Sequence, residues 1–535
     1  MDKKWWTLIA VCTGTFMLLL DITVVNVALP DIQHSLHATF SDLQWVIDAY
    51  SLTLAAFLLT AGVVGDMYGR REVFAIGLGI FSLSSLVCGL STTALMLNLS
   101  RAVQGVGGAI MFATSLALIA QAFQGRERGT AFGIYGAVVG GAVAIGPLIG
   151  GAITSGIGWR WIFFVNIPIG VVAIVLTLTK ITESKDPNKR RIDWIGFVTF
   201  SASLFLLVFA LVRGNDLGWH SGTIIGMLVA AAALMAGFLV AESVQKEPML
   251  DLQLFRRPAM VGVSIATFCV AASIFAMFLY ITLYVQDVLG YGPFQAGLVF
   301  LPLTMLAFVV APFAGRLTVR VHSRYLMGTG LLLVAVGCYL MSFTHATSAW
   351  TVLLPGFIVC GIGIGTANPV IASASVAVVP HERSGMASGS SNTFRQVGIA
   401  TGIAGLGAVF VHQIKPAVLA SLQTTPAGKV VLAHGGSQLG SALSTGGVRQ
   451  VAATIPVPAA RHALLTSYQV GFTSTFDHLM GIAAVVAMVG AIGCLFLVRQ
   501  KDFVPSLDAA QAAPGDDGSD GSDEGSAWSA STHAG

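Results

Sequence analysis

Long hydrophobic blocks follow one another along most of the chain, and short polar segments separate them. The first block, Trp5 to Leu29, contains one acid, Asp21, and no basic residue. Apolar blocks longer than about 18 residues are typical of membrane-spanning helices, whose backbone groups form hydrogen bonds within their own segment. The pattern predicts an all-α polytopic membrane protein. Its fourteen predicted helices lie at approximately 6–29, 44–65, 73–91, 95–121, 130–154, 162–180, 194–212, 222–242, 259–286, 295–315, 325–344, 350–376, 386–411 and 476–498.

Composition favours a membrane protein over a soluble one. Of the 535 residues, 55% are hydrophobic and only 10% are charged, whereas a soluble domain carries roughly 25% charged residues. Lys3 and Lys4 precede the first block, as they would in a signal peptide. That block, however, is longer than the usual apolar region of up to about 15 residues, and it contains an acid. We interpret it as an uncleaved first helix.

Basic residues are distributed unequally between the two sides of the predicted helices. If the N-terminus is cytoplasmic, 20 of the 28 lysines and arginines fall in cytoplasmic segments. Only Arg160 and Arg213 fall in short outer loops, which agrees with the positive-inside rule. We therefore expect a multi-pass protein of the plasma (cell inner) membrane with both termini in the cytoplasm. Residues 412–475 are predicted to form one long outer loop.

A short motif occurs twice, about 255 residues apart. Glu127-Arg128-Gly129 follows helix 4, and Glu382-Arg383-Ser384-Gly385 follows helix 12. The offset relates helices 1–6 to helices 9–14, and two related bundles around a midplane cavity are typical of transporters. The predicted domains are an N-terminal six-helix bundle at 1–181, a linker with inserted helices 7 and 8 at 182–258, a C-terminal six-helix bundle at 259–498 and a cytoplasmic tail at 499–535, where an Ala-, Gly-, Ser- and Asp-rich composition predicts disorder.

Five motifs occur in order on the N-terminal helices. They are Leu20-Asp21-Ile-Thr-Val-Val-Asn26-Val-Ala-Leu-Pro30, Gly62-Val-Val-Gly-Asp66-Met-Tyr-Gly69-Arg70-Arg71, Arg101-x-x-Gln104-Gly105-x-Gly107, Gly146-Pro147-x-x-Gly150-Gly151 and Trp159-Arg160-Trp161-Ile-Phe-Phe-Val-Asn166-Ile-Pro168.

Together these motifs resemble the signatures of the major facilitator superfamily, in particular its fourteen-helix drug/proton antiporters, over roughly residues 5–411. One position departs from the pattern, because Ala142 stands where the antiporter motif usually has glycine. The resemblance implies two six-helix bundles with two extra helices between them. It also implies proton-coupled efflux of small hydrophobic drugs or antibiotics, cationic ones included. The alternative is proton-coupled transport of another small solute on the same fold, either metabolite or siderophore export or uptake.

Two charged residues, Asp21 and Arg101, are predicted in the outer half of the membrane. A charge at the centre of a spanning helix costs about 2.5–3.5 kcal/mol on insertion scales. Because desolvation favours the neutral form of a carboxyl group, Asp21 is the candidate site of proton coupling, and Arg101 is the candidate that controls its protonation. The alternatives are a purely structural hydrogen-bond acceptor and an arginine that reaches the outer interface.

Two further charged residues, Asp48 and Arg395, are candidates for a functional role. Asp48 lies in the motif Trp45-x-x-Asp48-x-Tyr50-Ser51-Leu52, which resembles the corresponding segment of fourteen-helix exporters of quaternary ammonium compounds. It could attract a cationic substrate or take a proton, or it could simply suit the positive end of helix 2. Arg395 in helix 13 is a candidate intramembrane partner, and it could equally form a structural ion pair near the cytoplasmic side.

The segment between helices 2 and 3 is predicted to be a conformational latch, formed by Gly62, Asp66, Gly69, Arg70 and Arg71. Glycine permits a tight turn, and Asp66 can meet a helix N-terminus or a base. In the family this motif breaks when the protein turns inward. The alternative is that these residues serve topology alone, through the positive-inside bias.

The antiporter motif consists of Gly146, Pro147, Gly150 and Gly151. Proline removes a backbone hydrogen bond and should bend helix 5, and the glycines permit close helix contact. By resemblance, this segment seals the bundle against proton leak; the alternative is an ordinary packing kink.

The remaining sequence features indicate no further chemistry. The six cysteines are isolated in apolar blocks, without metal-site spacing. We find no P-loop, no HExxH and no GxSxG in a strand-to-helix context. We therefore expect no cofactor, no ATP, no nucleic acid and no enzymatic activity. The expected partners are a small hydrophobic substrate, protons and the lipid bilayer, with the monomer as the functional unit.

Overall fold

The computed structural model describes residues 2–503 apart from 39, 185–192, 246–249, 346–347, 381–382, 433–447, 449–450, 453–454, 456 and 500–502. The predicted disorder of the tail from 504 onward lies outside the described residues.

The described chain is built from helices. They are α1 (Lys3–Leu36), α2 (Phe40–Tyr68), α3 (Arg70–Gly89), α4 (Ala94–Ala122), α5 (Gly125–Ile157), α6 (Trp161–Phe164), α7 (Asn166–Lys180), α8 (Trp194–Leu217), α9 (Gly222–Val244), α10 (Pro258–Val270), α11 (Ala276–Leu283), α12 (Pro293–Leu317), α13 (Ser323–Leu340), α14 (Leu354–Ala377), α15 (Ser384–Gln423) and α16 (Pro458–Leu497). Short 3-10 helices cover Leu252–Arg256 and Trp350–Leu353, and π-helical turns cover Ala271–Phe275 and Tyr284–Val288.

Long apolar helices agree with the predicted spans. Within the described residues, thirteen helical segments are long and apolar enough to cross a membrane. The fifth predicted block falls in α5, whose 33 residues exceed the length of one span, although only Leu148–Ile157 stands out as an apolar stretch. Predicted helices 6 and 9 correspond to α6–α7 and α10–α11, and predicted helices 13 and 14 to α15 and α16. The chain therefore has the helices of a multi-pass membrane protein.

Several helices extend beyond the apolar blocks that predicted them. α15 continues to Gln423 and α16 begins at Pro458, so both ends of the predicted outer loop 412–475 are helical. α8 extends to Leu217, so Arg213 lies in a helix and is buried, whereas the sequence placed it in a loop. Hydropathy detects the apolar part of a helix only, because polar turns that continue it carry no apolar signal.

We call the end of the helices at which α1, α3, α5 and α15 begin the inner end. There the start of α1 meets the start of α5, since Lys4 Nζ donates to Glu127 Oε2 at 2.7 Å. Arg383, just before α15, pairs with Asp251 at the same end. In the first half of the chain α2 and α3 both pack on α4, and in the second half α14 and α16 both pack on α13. α8 and α9 pack on each other, and α8 also contacts α2 and α15.

Near the inner end the two halves of the chain meet backbone to backbone, where α5 packs on α12 and α2 packs on α15. A Cβ atom at Gly62 would stand 2.1 Å from the Gly385 carbonyl oxygen, and one at Gly129 would stand 2.0 Å from the Gly315 carbonyl oxygen. Only glycine fits such contacts. Gly129 and Gly385 belong to the two copies of the repeated motif, so each copy supplies one contact that closes the inner end.

Candidate functional site

Asp21 lies in α1 with only 2% of its surface exposed, and three donors from α4 and α7 converge on its carboxylate. Arg101 Nη1 donates to Asp21 Oδ2 at 2.5 Å. Gln104 Nε2 and Asn166 Nδ2 each donate to Asp21 Oδ1 at 3.0 Å. Both carboxylate oxygens therefore accept hydrogen bonds, and one of these bonds comes from a charged donor. The structure brings Asp21 and Arg101 together.

The other contacts of Arg101 hold its side chain inside the protein. Its Nε donates to the Val46 carbonyl oxygen at 3.1 Å, and its Nη1 also donates to Gln104 Oε1 at 2.7 Å. The guanidinium carbon lies 4.1 Å from the centre of the Tyr50 ring, the distance of a cation–π contact. Arg101 therefore has acceptors on several sides and points into the helices instead of outward.

Two amide residues complete this site, and sequence reasoning gave neither a role. Gln104 follows Arg101 by one helical turn, so both side chains lie on one face of α4. Asn166 begins α7 and also donates to Ser85 Oγ at 3.0 Å, while Ser85 donates to the Phe163 carbonyl oxygen at 2.9 Å. The available signal was an amide inside an otherwise apolar helix, within motifs already recognised.

The antiporter motif packs directly against α1 beside Asp21. A Cβ at Gly146 would stand 1.8 Å from Thr23 Oγ1, and one at Gly150 would stand 3.1 Å from the Val24 Cα. Gly151 has open space within 4 Å of such a Cβ. α5 continues as one helix through this segment. The motif thus provides close contact between α5 and the turn of α1 that follows Asp21, and Gly151 takes no part in that contact.

The predicted latch joins the two halves of the chain through Asp66. Its Oδ1 accepts from Arg70 Nη2 at 2.8 Å and from the Gly385 amide at 2.9 Å, and its Oδ2 accepts from the Met386 amide at 2.9 Å. Those amides belong to the first turn of α15, where the helix dipole favours a negative charge. Asp66 therefore contacts both kinds of partner that the sequence suggested, a base (Arg70) and a helix N-terminus (that of α15).

Glu183, which sequence reasoning did not select, holds the turn between α2 and α3. Its Oε1 accepts from the Arg71 amide at 3.0 Å and its Oε2 from the Glu72 amide at 3.1 Å, at the N-terminus of α3. The carboxylate lies against Gly69, whose φ of +119° favours glycine. The segment after α7 is therefore tied to the latch.

Asp48 is already paired in this conformation. Arg213 Nε, on α8, lies 3.2 Å from Asp48 Oδ2, and Arg213 Nη1 donates to Gln44 Oε1 at 2.6 Å. The guanidinium also lies 5.2 Å from the centre of the Trp45 ring. An inserted helix thus supplies the cation for an acid on α2, which sequence reasoning missed because it placed Arg213 in a loop.

A small cavity lies between the two halves, outward of the glycine contacts. Two helices from each half line it, with Phe112, Leu116, Tyr135, Asn368, Asn392 and Arg395 among the lining residues. The free space is about 10 Å³, close to the minimum that seats one water molecule. Asn392 Nδ2 donates to the Phe112 carbonyl oxygen across the cavity at 3.2 Å. Arg395 therefore lies in this cavity, separate from the Asp21 site.

Comparisons with known proteins agree with this architecture. The sequence model of the Major Facilitator Superfamily matches residues 11–403. Multidrug resistance protein Stp of Mycobacterium tuberculosis is 38% identical over 405 residues, which are 75% of each protein. The tetracenomycin C resistance and export protein of Streptomyces glaucescens is 34% identical over 418 residues, 77% of each. The crystal structure of the human organic anion transporter MFSD10 (TETRAN) covers 91% of this chain and 100% of its own with a TM-score of 0.58 at 14% identity, a likeness of fold alone.

Proposed function

Because the chain belongs to the major facilitator superfamily, we propose that it exports small hydrophobic drugs or antibiotics across the plasma membrane in exchange for protons. The observation that carries this proposal is the buried Asp21 carboxylate with its convergent donors, beside the contact of α1 with α5. Relatives named for multidrug resistance and for tetracenomycin C resistance and export favour export over uptake. The chain is a transporter, and in this proposal it couples the inward movement of protons to the outward movement of the substrate.

Proton binding at Asp21 changes what Arg101 faces. A proton on the carboxyl group removes the negative charge 2.5 Å from Arg101 Nη1. Arg101 then keeps only neutral acceptors, Gln104 Oε1 and the Val46 carbonyl oxygen. Because a buried charge without its counterion is costly, the two protonation states of Asp21 favour different placements of α1 against α4.

α5 is the helix that can pass this change to the interface between the halves. One part of α5 touches α1 where Gly146 meets Thr23, and Thr23 lies two residues after Asp21 in α1. Nearer the inner end, Gly129 and Gly133 of the same helix touch Gly315 and Pro312 of α12 in the other half. Both contacts leave no room for a methyl group, so a displacement of α1 moves α5 against α12.

The described conformation has its inner end closed by the glycine contacts and the latch. Export requires that this end open to admit substrate, which separates Asp66 from the first turn of α15. Opening then breaks the two hydrogen bonds from the Gly385 and Met386 amides to the Asp66 carboxylate, so it needs a driving change elsewhere. We propose that the protonation state of Asp21 provides that change.

The predictions of topology, oligomeric state and domain division belong to the same proposal. We propose that both termini are cytoplasmic and that the protein works as a monomer. We keep the division into bundles at 1–181 and 259–498, with the inserted linker at 182–258.

Transport into inside-out vesicles tests the proposed function. A lumen more acidic than the medium should drive uptake of hydrophobic dyes, and the ionophore nigericin, which dissipates the pH gradient, should abolish it. Suitable probes are fluorescein, an anion, and rhodamine 123, a cation, each measured after filtration and lysis. Vesicles without the protein provide the background. Dye uptake at the same rate with and without the pH gradient contradicts proton-driven export. So does the absence of uptake of either dye above background.

A further inference from the structure

The cavity between the halves contains polar atoms that lack partners. Within the described part of the chain, Arg395 Nε is shielded from solvent and has no hydrogen-bond partner, and neither has Asn368 Oδ1. Asn368 is 6% exposed. A buried donor or acceptor without a partner costs about 1–3 kcal/mol, and more when the group is charged. Such groups call for an explanation, and a bound ligand that satisfies them is one.

The charge of this cavity has one sign. Its described lining contains the Arg395 guanidinium and no carboxylate. Three acids in the first half, Asp21, Asp48 and Asp66, are already paired with Arg101, Arg213 and Arg70. In surroundings of low dielectric constant a unit charge acts strongly over several ångströms. A permanent cation in this cavity would therefore meet repulsion and find no counterion.

We propose that the cavity binds hydrophobic compounds that offer an anionic or carbonyl oxygen to Arg395 and a neighbouring hydroxyl or amine hydrogen to Asn368, in preference to permanent cations. The inference rests on the proposed function, because it names the substrate class of the same transporter. The aromatic residues Phe112 and Tyr135 line the same cavity as Arg395 and Asn368 and suit a planar ligand. Since both halves line the cavity, its volume grows when they separate, and the substrate binds in that open state.

A structural role for Arg395 is the competing explanation. A buried arginine that only holds helices together needs an acid or several carbonyl acceptors, as Arg101 has. Among the described residues no salt bridge to Arg395 is present, and its Nε is unsatisfied. Its position between the halves, on the first part of α15 just outward of the latch, gives it access to whatever enters the cavity.

Binding of two matched dyes to the purified full-length protein tests this inference. Fluorescein and rhodamine 123 share a planar three-ring core and carry opposite charges. Fluorescence anisotropy is measured at a pH where fluorescein is anionic. The wild-type protein should bind fluorescein at least about tenfold more tightly than it binds rhodamine 123. Arg395→Gln should weaken fluorescein binding about tenfold or more and leave rhodamine 123 binding equal or stronger, as expected for one charge-assisted hydrogen bond. Arg395→Lys should retain part of the preference.

The matched control is Arg324→Gln, which removes an arginine at the start of α13 that stacks on Tyr325. It should leave both affinities unchanged. Size-exclusion profiles and melting curves show whether each variant folds, and Asn368→Ala, which should weaken fluorescein binding by a smaller factor, tests the site independently. Wild-type affinity for fluorescein in Arg395→Gln, equal affinity of wild type for the two dyes, or parallel loss of both dyes in folded variants overturns the inference.

The outcomes separate the inference from the proposed function. A preference for fluorescein in binding, without any uptake driven by a pH gradient in vesicles, leaves the inference standing and removes proton-driven export. Gradient-driven uptake of rhodamine 123 alone supports export and removes the inference. Gradient-driven uptake of fluorescein that Arg395→Gln abolishes supports both.

Discussion

At the scale of single residues, the Asp21 site differs from an ordinary buried ion pair. Arg101, Gln104 and Asn166 supply donors from two helices to one carboxylate on a third, and Arg101 retains neutral acceptors of its own. Loss of the carboxylate charge therefore leaves Arg101 without its counterion and with part of its hydrogen bonding intact. A site with two tolerable states is suited to coupling, whereas a purely structural pair needs only one.

We expect Arg101→Ala to slow efflux and to move its pH optimum upward. The positive charge 2.5 Å from Asp21 stabilises the carboxylate form. Without it the charged carboxylate has no counterion, so the step that releases the proton is less favourable and needs a more alkaline medium. The measurement is efflux rate against pH in proteoliposomes for both proteins. An optimum that stays in place or moves downward would mean that Arg101 serves structure or substrate and not the proton site.

The residues that sequence reasoning found and missed differ in physical character. Asp21 and Arg101 were conspicuous, because a charge inside an apolar block is costly wherever the helix packs. Gln104 and Asn166 were not, because amides in membrane helices often bond to neighbouring backbone. Glu183 and Arg213 depend on which helix ends meet in space, and Arg213 was placed in a loop because the turn that carries it is polar. A hydropathy profile shows neither the hydrogen-bond partner of an amide nor which helix ends meet in space.

At the scale of elements, α5 connects the proton site with the interface between the halves. Its glycines are unequal, since a Cβ at Gly146 would overlap Thr23 while one at Gly151 would meet nothing within 4 Å. The sequence showed one motif with three glycines and could not rank them, because the ranking depends on which face of α5 meets α1.

Gly146→Ala should therefore reduce transport far more than Gly151→Ala. The added methyl group at Gly146 would lie 1.8 Å from Thr23 Oγ1, so α1 and α5 must move apart or Thr23 must turn. Displacements of this kind in packed interiors typically cost about 1–3 kcal/mol. Dye uptake in vesicles, normalised to the amount of protein, gives the comparison. Equal activity of the two variants would exclude the α1–α5 contact as a coupling element.

At the scale of the whole molecule, the repeated motif closes the inner end. Each copy places one glycine against the other half, and Asp66 adds a carboxylate to the first turn of α15. The sequence predicted the two related bundles and the latch from this repeat and from the order of motifs. It could not show that one copy meets α12 and the other meets α2, because a repeat states that two segments are alike and not what each of them contacts.

Asp66→Ala should open the inner end more often. The substitution removes the acceptor of the Gly385 and Met386 amides, and a charge-assisted hydrogen bond contributes about 1.5–3 kcal/mol. A cysteine in place of the buried Ser388 on α15, in a background without other cysteines, should then react with N-ethylmaleimide about tenfold faster. Asp31→Ala, which removes an exposed acid at the outer end of α1, is the control and should leave the rate unchanged. Equal rates in all three proteins would contradict the latch.

The central claim is that Asp21 couples the proton gradient to transport. Asn has nearly the same shape as Asp, but it carries no charge and exchanges no proton. In proteoliposomes, Asp21→Asn should lose dye accumulation driven by a pH gradient and retain dye-for-dye exchange without a gradient, because exchange needs only the movement of loaded protein. Accumulation at the wild-type rate by the folded Asp21→Asn protein would contradict this account, since it would place the proton site elsewhere.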